Sequence, residues 1–247
     1  MNKIILKNPN SFSILITGLK QFYNDCNIHF LNDRLQISNF STCKTSLIKT
    51  KLKTKYFEEF KYVKDQIIGI NLSILCNCLK KIKKNDKVSF TFLEDTILIN
   101  AENDSRSIEF QMITINLNES IFTFPKIDFN NEIFISSSKF KNLLNDLNLS
   151  TTIIFNISDD NLMLKSTNDN INLKVNYKKK NNKFQYKKLK NGTNLEFYIK
   201  QLINFSKFMT LTNNFILEFK NNFPLRIFCE LIEDNNSTLE IFISPLC

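Results

Sequence analysis

His29 is the only histidine in this 247-residue chain, so imidazole catalysis or a His-based metal site would rest on it alone. It stands in a short alternating stretch before a turn, the setting of a surface or strand histidine rather than of a general base. Six cysteines are scattered, and only Cys76 and Cys78 are close. On a helix those two side chains diverge by about 200° and cannot chelate one ion together. They read as free, mostly buried thiols of a reducing compartment. Metal-assisted hydrolysis needs clustered carboxylates; the candidates, Asp159-Asp160 and Glu233-Asp234, are adjacent turn residues with no evident partners. The three glycines, Gly18, Gly69 and Gly192, lie far apart, which excludes a phosphate-cradling loop or dinucleotide fingerprint. No catalytic, metal or cofactor site emerges, and the chain does not read as an enzyme.

Lysine is the remaining chemistry. The net charge of +9 fits a nucleic-acid partner. Lys, Asn, Ile and Phe are all over-used while Ala and Gly are scarce, a bias that an AT-rich genome also imposes on neutral surfaces, so position on a helix must decide. Four predicted helices each carry lysine off the apolar stripe: Lys20 on the first, Lys80, Lys81 and Lys84 on the second, Lys139 and Lys141 on the third, Lys200 and Lys207 on the fourth. Few carboxylates, chiefly Asp146 and Glu196, stand near them. Such faces suit the phosphate backbone, whose binding is sequence-independent and salt-sensitive. No helix-turn-helix pattern or aromatic platform for base reading accompanies them.

The elements that carry these lysines come in two similar sets. Phe12, Leu15, Ile16, Leu19 and Phe140, Leu143, Leu144, Leu147 share the i, i+3, i+4, i+7 spacing of an amphipathic helix. A similar strand follows each (NDRLQIS, DDNLMLK), and an Asn-Leu pair opens a further helical stretch at Asn71-Leu72 and at Asn194-Leu195. The spacing predicts helices over 11–23 (capped by Asn10 or Ser11), 72–84, 138–148 and about 195–209. Alternation predicts strands at 28–30, 35–40, 46–52, 66–70, 88–92, 96–100, 107–116 and 132–136, then around 152–157, 161–166, 169–177, 215–220, 224–232 and 238–243. The last helix would bury Leu195, Tyr198, Leu202 and Phe205, aligning Lys200 with Lys207 on the far side. Two domains are expected, 1–116 and 131–247, joined by an apolar extended connector over 117–130. The basic stretch 178–190 reads first as a solvated loop; as a functional element it could touch nucleic acid or serve as an import signal. The hydrophobic fraction of 43% with 24 Phe supports real cores. No apolar run of about 18 residues predicts a membrane span, and the first ten residues hold too short an apolar stretch for a secretory signal.

In this arrangement the chain resembles the sliding clamps of the proliferating cell nuclear antigen family. Leu19-Lys20, the strand Leu35–Phe40, Ser46-Leu47, Gly69-x-Asn71-Leu72 and Leu79-Lys80 stand in family order. So do Phe140 through Asp146-Leu147, NFSKFMTL over 204–211, Phe223-Pro224-Leu225 and the terminal FISP. The resemblance is low in identity but colinear from end to end. It implies an α+β fold of two similar clamp domains, each packing two helices on antiparallel sheet, and a pseudo-six-fold ring closed by three copies around double-stranded DNA. The function implied is a polymerase processivity factor, loaded by an external clamp loader, tethering DNA polymerase and other PIP-box-type clients in the nucleus, or at a cytoplasmic replication site if viral. No cofactor, metal or membrane contact is implied.

The family's DNA-facing positions fall on Lys20, Lys80, Lys200 and Lys207; Ser13, Ile14, Asn77, Asn142 and Asn145 stand where basic residues are expected, and Lys81, Lys84, Lys139 and Lys141 compensate. The client pocket carries over to Phe40, Lys44, Leu47, Phe122, Phe124, Pro125, Phe129, Pro224, Phe242 and Pro245. The subunit interface falls on strands 107–116 and 170–177, through Phe110 and Met112 on one and Ile171, Leu173, Val175 and Tyr177 on the other. The family's usual acidic exterior is replaced by a basic one, and its ubiquitin-accepting lysine falls at or near Asp159. A subunit of a heterotrimeric checkpoint-type clamp, or a clamp-like viral transcription factor, would keep this fold with other partners.

Overall fold

The computed structural model describes residues 1–117, 127–158, 161–168, 170–178, 185–188 and 192–246. In chain order, the first half holds β1 (Asn2–Leu6), α1 (Pro9–Leu19), β2 (Asp25–Leu31), β3 (Arg34–Phe40), β4 (Ser46–Lys53), β5 (Phe57–Lys61) and β6 (Gln66–Asn71). It continues with α2 (Leu72–Leu79), β7 (Lys87–Phe92), β8 (Thr96–Asn103) and β9 (Arg106–Ile113). The second half holds β10 (Asn131–Ser136), α3 (Ser137–Leu147), β11 (Thr152–Ile157), β12 (Asn161–Thr167), β13 (Asn172–Lys178) and β14 (Gln185–Lys188). It ends with β15 (Thr193–Tyr198), α4 (Ile199–Phe205), β16 (Asn214–Phe219), β17 (Leu225–Glu230) and β18 (Thr238–Ile243). The chain packs as two units. One comprises Met1–Lys44, Ile48–Thr123 and Leu231–Leu239; the other Thr45–Leu47, Phe124–Glu230 and Glu240–Cys247.

The two halves repeat one topology. Strands of the first run β5-β1-β7-β8-β9 and β4-β3-β2-β6; strands of the second run β14-β10-β16-β17-β18 and β13-β12-β11-β15. Replacing each label by the one nine strands later converts the first pair of orders into the second. The repeat visible in two helical stripes is therefore a repeat of the whole α+β unit, built of antiparallel strand pairs. No helix of the described residues is long and apolar enough to cross a membrane.

Helices α1 and α3 are held by the stripes their spacing predicts. In the first unit α1 buries Phe12, Leu15, Ile16 and Leu19, and α2 buries Leu72, Leu75, Cys76 and Leu79. Beneath them Phe30 stacks on Phe60 at 4.7 Å and meets Phe92 edge-on at 5.2 Å, while Phe12 meets Phe90 at 5.5 Å. In the second unit Phe215 of β16 touches Phe140 of α3 at 5.4 Å and Phe205 of α4 at 5.2 Å. One ring thus pins both helices, and such aromatic pairs stabilise beyond the area they bury.

Several boundaries differ from the sequence reading. Helix α1 starts at Pro9 because Asn8, not Asn10 or Ser11, caps it: its side chain accepts from Ser11 N at 3.1 Å. Proline at the first helical position costs no hydrogen bond. Asn71 caps α2 through Ile74 N at 3.0 Å, but Asn194-Leu195 opens no helix. Residues 193–198 alternate buried and outward, with Thr193, Leu195 and Phe197 buried, and they form β15 against β11. Leu195 is consequently core from a strand, Tyr198 is 47% exposed, and α4 begins about four residues later than expected. Helix α2 ends at Leu79, leaving Lys80 to Lys84 in a turn and loop. Strands β1 and β5 were not foreseen, and β14 lies inside the basic stretch expected as a loop. Its backbone pairs with β10 at Ile133↔Tyr186 and Phe134↔Gln185, because a sheet edge recruits main chain whatever the side chains are.

The strand expected to reach residue 116 stops at Ile113. The chain then bridges Ile115 to Gly69 of β6, with Ile115 N donating to the Gly69 carbonyl at 2.9 Å. A Cβ on residue 69 would sit 2.1 Å from the Ile115 oxygen. Glycine is there for that close backbone approach.

Candidate nucleic-acid interface

The two helices of each unit pack with their apolar stripes inward, so their outer faces are what the molecule offers. In the first unit α1 and α2 adjoin, Thr17 Oγ1 lying 3.9 Å from Cys76 Sγ. Their outer faces carry Ser13, Ile14, Thr17, Ile74 and Asn77, all uncharged. Cations come only at the ends: Lys20 is the C-cap of α1, half-buried, and Lys80 the C-cap of α2, exposed. A helix C-terminus, with its unsatisfied carbonyls, favours a cation by electrostatics alone. Lys81 and Lys84 follow, exposed, outside the helix.

In the second unit Lys139 and Lys141 project from the first two turns of α3, beside exposed Asn142, Asn145 and Asp146. Lys200 is exposed on the first turn of α4. Lys207 is exposed too, but on a 3-10 turn, Ser206–Phe208, that follows α4. The expected alignment of Lys200 and Lys207 along one helix therefore fails, since regular α-geometry ends at Phe205. Glu196, expected near the helical lysines, belongs to β15, leaving Asp146 as the carboxylate on α3.

Asp86 was missed by sequence reasoning. It is 3% exposed, and its carboxylate accepts from Lys83 N at 2.8 Å and Arg106 Nη2 at 2.7 Å, and from Asn103 Nδ2. The Lys83 backbone N–H foremost, then Arg106 and Asn103, hold its carboxyl below the usual carboxylate range despite burial. A single acid inside the basic run KKIKKNDK was the available signal.

The other expected sites divide as follows. Phe40 ends β3 with its ring 38% exposed, and Lys44 follows in a turn at φ 57°. In the second unit Leu47, Pro224, Phe242 and Pro245 are half-buried and Phe129 is buried. Ser244 N donates to the Thr45 carbonyl at 2.9 Å, which brings the backbones around Leu47 and Pro245 together. Phe122, Phe124 and Pro125 lie outside the described residues, as do Asp159 and Asp160. Strand β9 ends its sheet beside β8, with Phe110 half-buried and Met112 buried; β13 ends its sheet beside β12. Leu173, Val175 and Tyr177 share one half-buried face of β13, and burial, then the Asp146 charge, raises the Tyr177 hydroxyl. Ile171 is not in that strand. It lies in the preceding turn, where Asn168 Oδ1 accepts from its N–H at 2.8 Å, and its side chain is 47% exposed.

The residues considered for chemistry have structural duties. His29 lies in β2 at 1% exposure, not at the surface, and burial lowers its pKa. Glu233 accepts from Ser11 Oγ at 2.6 Å and Asn8 Nδ2 at 3.0 Å, and Asp234 accepts from Ser237 Oγ at 2.9 Å. Cys76 is buried in α2 and Cys78 half-buried, its thiol raised by burial.

Residues 1–122 match the family described as "Proliferating cell nuclear antigen, N-terminal domain". The chain is 27% identical over 123 residues to DNA polymerase sliding clamp 3 of Sulfurisphaera tokodaii, covering 49% of this chain and 44% of the relative. It is thus matched over less than half the length of that relative. With proliferating cell nuclear antigen 2 of Plasmodium falciparum it is 21% identical over 251 residues, covering 95% of this chain and 94% of the relative. Its fold is that of the crystal structure of the proliferating cellular nuclear antigen from Entamoeba histolytica: TM-score 0.89 at 18% identity, covering 100% of this chain and 99% of that one.

Proposed function

The chain belongs to the proliferating cell nuclear antigen family, and on that premise we propose that it is a DNA polymerase processivity factor, a sliding clamp that encircles duplex DNA. The observation that carries this reading is the duplicated unit itself. Two copies of one fold each present a pair of helices with lysine on the helix or at its end, and carry no assembled catalytic group among the described residues. Lys20, Lys80, Lys81 and Lys84 from the first unit, and Lys139, Lys141, Lys200 and Lys207 from the second, would hold the phosphate backbone. The uncharged middle of the α1–α2 face keeps those contacts few, which lets the protein translate along DNA instead of settling on it. In this reading the protein works as a scaffold without catalysis of its own.

Ring closure is assigned to the two terminal strands. Strand β9 of one copy would pair with β13 of the next, through Phe110 and Met112 on one side and Leu173, Val175 and Tyr177 on the other, Ile171 closing the end. Each strand is the last of its sheet among the described residues, and pairing would cover that edge. A head-to-tail contact of this kind closes into a ring when its rotation is right. Light scattering across a concentration series at moderate salt is expected to give a mass near three times 29.0 kDa. A chain that stays monomeric at every concentration would contradict self-closure and point to a heteromeric clamp.

Clients would dock through an aromatic-anchored helical turn on Phe40, Lys44, Leu47, Phe122, Phe124, Pro125, Phe129, Pro224, Phe242 and Pro245. The exposed ring of Phe40 supports this, since a desolvated aromatic anchor supplies most of the affinity at such sites. Replacing Phe122 and Phe124 together by alanine is expected to abolish binding of a labelled PIP-box peptide with thermal stability unchanged. Unaltered peptide affinity would refute the pocket. A clamp loader, DNA polymerase and a nuclear or viral replication site complete the reading.

A further inference from the structure

Five lysines crowd eight consecutive positions after α2: Lys80, Lys81, Lys83, Lys84 and Lys87. A solvated lysine run has no reason to hold one shape, but this one is tied down. The buried carboxylate of Asp86 takes the Lys83 N–H and Arg106 Nη2, and the same guanidinium donates to the Lys81 carbonyl at 3.1 Å. Asn103 Nδ2 adds a further bond to Asp86, and its own Oδ1 accepts from Ser105 and Arg106 N–H groups at 2.9 and 3.2 Å. Loop and β8–β9 hairpin are thereby tied to each other. Between them opens a cleft of about 1040 Å³ lined by Lys83, Lys84, Lys87 and Arg106, with Glu102 and Asp104. The remaining lining residues are Asn and Ser, so the cleft contains no apolar side chain.

We propose that this cleft is a second phosphate-backbone site for duplex DNA, outside the helical face, which rests on the DNA-binding reading given above. Three observations choose this partner. Asp86 fixes the Arg106 guanidinium and the backbone that carries Lys83, so less ordering entropy is lost when phosphates bind. A peptide partner would need an apolar pocket for its anchoring side chains, and the lining offers none. Lys80 and Lys81 directly precede the cleft's lysines in the chain, and Arg106 of the cleft donates to the Lys81 carbonyl, so the cleft adjoins the end of α2. Glu102 and Asp104 oppose the four cations, and Lys87 is shared with Glu58 at 3.5 Å, which keeps the site weak and steeply salt-dependent.

The test is fluorescence anisotropy of the full-length protein on a short labelled duplex across a salt series. Each lost phosphate contact lowers the slope of log K against log[salt] by about 0.9, so Lys83→Ala with Lys87→Ala is expected to lower it by about 1.8. Lys20→Ala with Lys200→Ala serves as the helical-face comparison. An unchanged slope in the Lys83/Lys87 variant, with a reduced one in the Lys20/Lys200 variant, overturns the cleft and leaves the clamp reading standing. Absence of duplex binding by the parent protein overturns both. Loss of poly-glutamate binding with duplex binding intact would assign the cleft to an acidic protein and overturn the proposal.

Discussion

Replacing Lys80, Lys84, Lys200 and Lys207 together by alanine is expected to lower the salt slope of duplex binding by about 3.6, at about 0.9 per phosphate contact. At moderate salt that corresponds to a loss of affinity on the order of a thousandfold, because each released counterion contributes through the logarithm of salt concentration. All four side chains are exposed and none appears in an ion pair among the described residues. Their removal should therefore leave the core and the oligomer mass untouched. Polymerase synthesis on long templates is expected to shorten in parallel, since the tether weakens while the polymerase is unaltered. Loss of the oligomer in this variant would mean that the lysines support an interface and not a DNA face.

The second large effect lies in the core. Phe215→Ala is expected to destabilise the protein by about 3–5 kcal/mol, the usual cost of emptying a fully buried phenylalanine site. The ring is 0% exposed and bridges α3 to α4 through Phe140 and Phe205. Its loss opens a void that neither helix can fill without moving, and those helices carry Lys139, Lys141 and Lys200. The variant should thus lower the urea midpoint and also weaken DNA binding more than its exposed surface, which is unchanged, would predict. A midpoint shift equivalent to less than about 1 kcal/mol would show that the two helices are held by other contacts.

Much of this molecule is legible in its sequence, for a physical reason. The stripes Phe12/Leu15/Ile16/Leu19 and Phe140/Leu143/Leu144/Leu147 are fully buried as the period demands, because a helix on a sheet can bury only one face. Their recurrence reveals the duplication, and with it the fold. Errors arise where local pattern and backbone pairing disagree. Leu195, Tyr198, Leu202 and Phe205 fit a helical spacing, yet 193–198 also alternates, and the available edge of β11 decided for strand. Likewise β14 was invisible, since its pairing uses main-chain groups that every residue has.

The site is only partly legible. Which lysines lie on helix surfaces follows from periodicity, as Lys139, Lys141 and Lys200 illustrate. That the backbone at Lys83 is held by Asp86, itself paired with Arg106, depends on a contact twenty residues apart in sequence. No local pattern encodes that contact. His29 shows the converse: its alternating context gave the strand correctly, while its burial to 1% required knowing what covers it.

The central claim is topological, that the protein encloses DNA, and one measurement addresses it directly. The labelled protein would be assembled on a nicked circular plasmid with a clamp loader and ATP, freed of unbound material by gel filtration in salt high enough to suppress ordinary electrostatic binding, and then treated with an enzyme that linearises the plasmid. Enclosure predicts that the protein stays with the circle and is released once ends are available. Equal retention on circular and linear DNA, or equal loss from both, would contradict it.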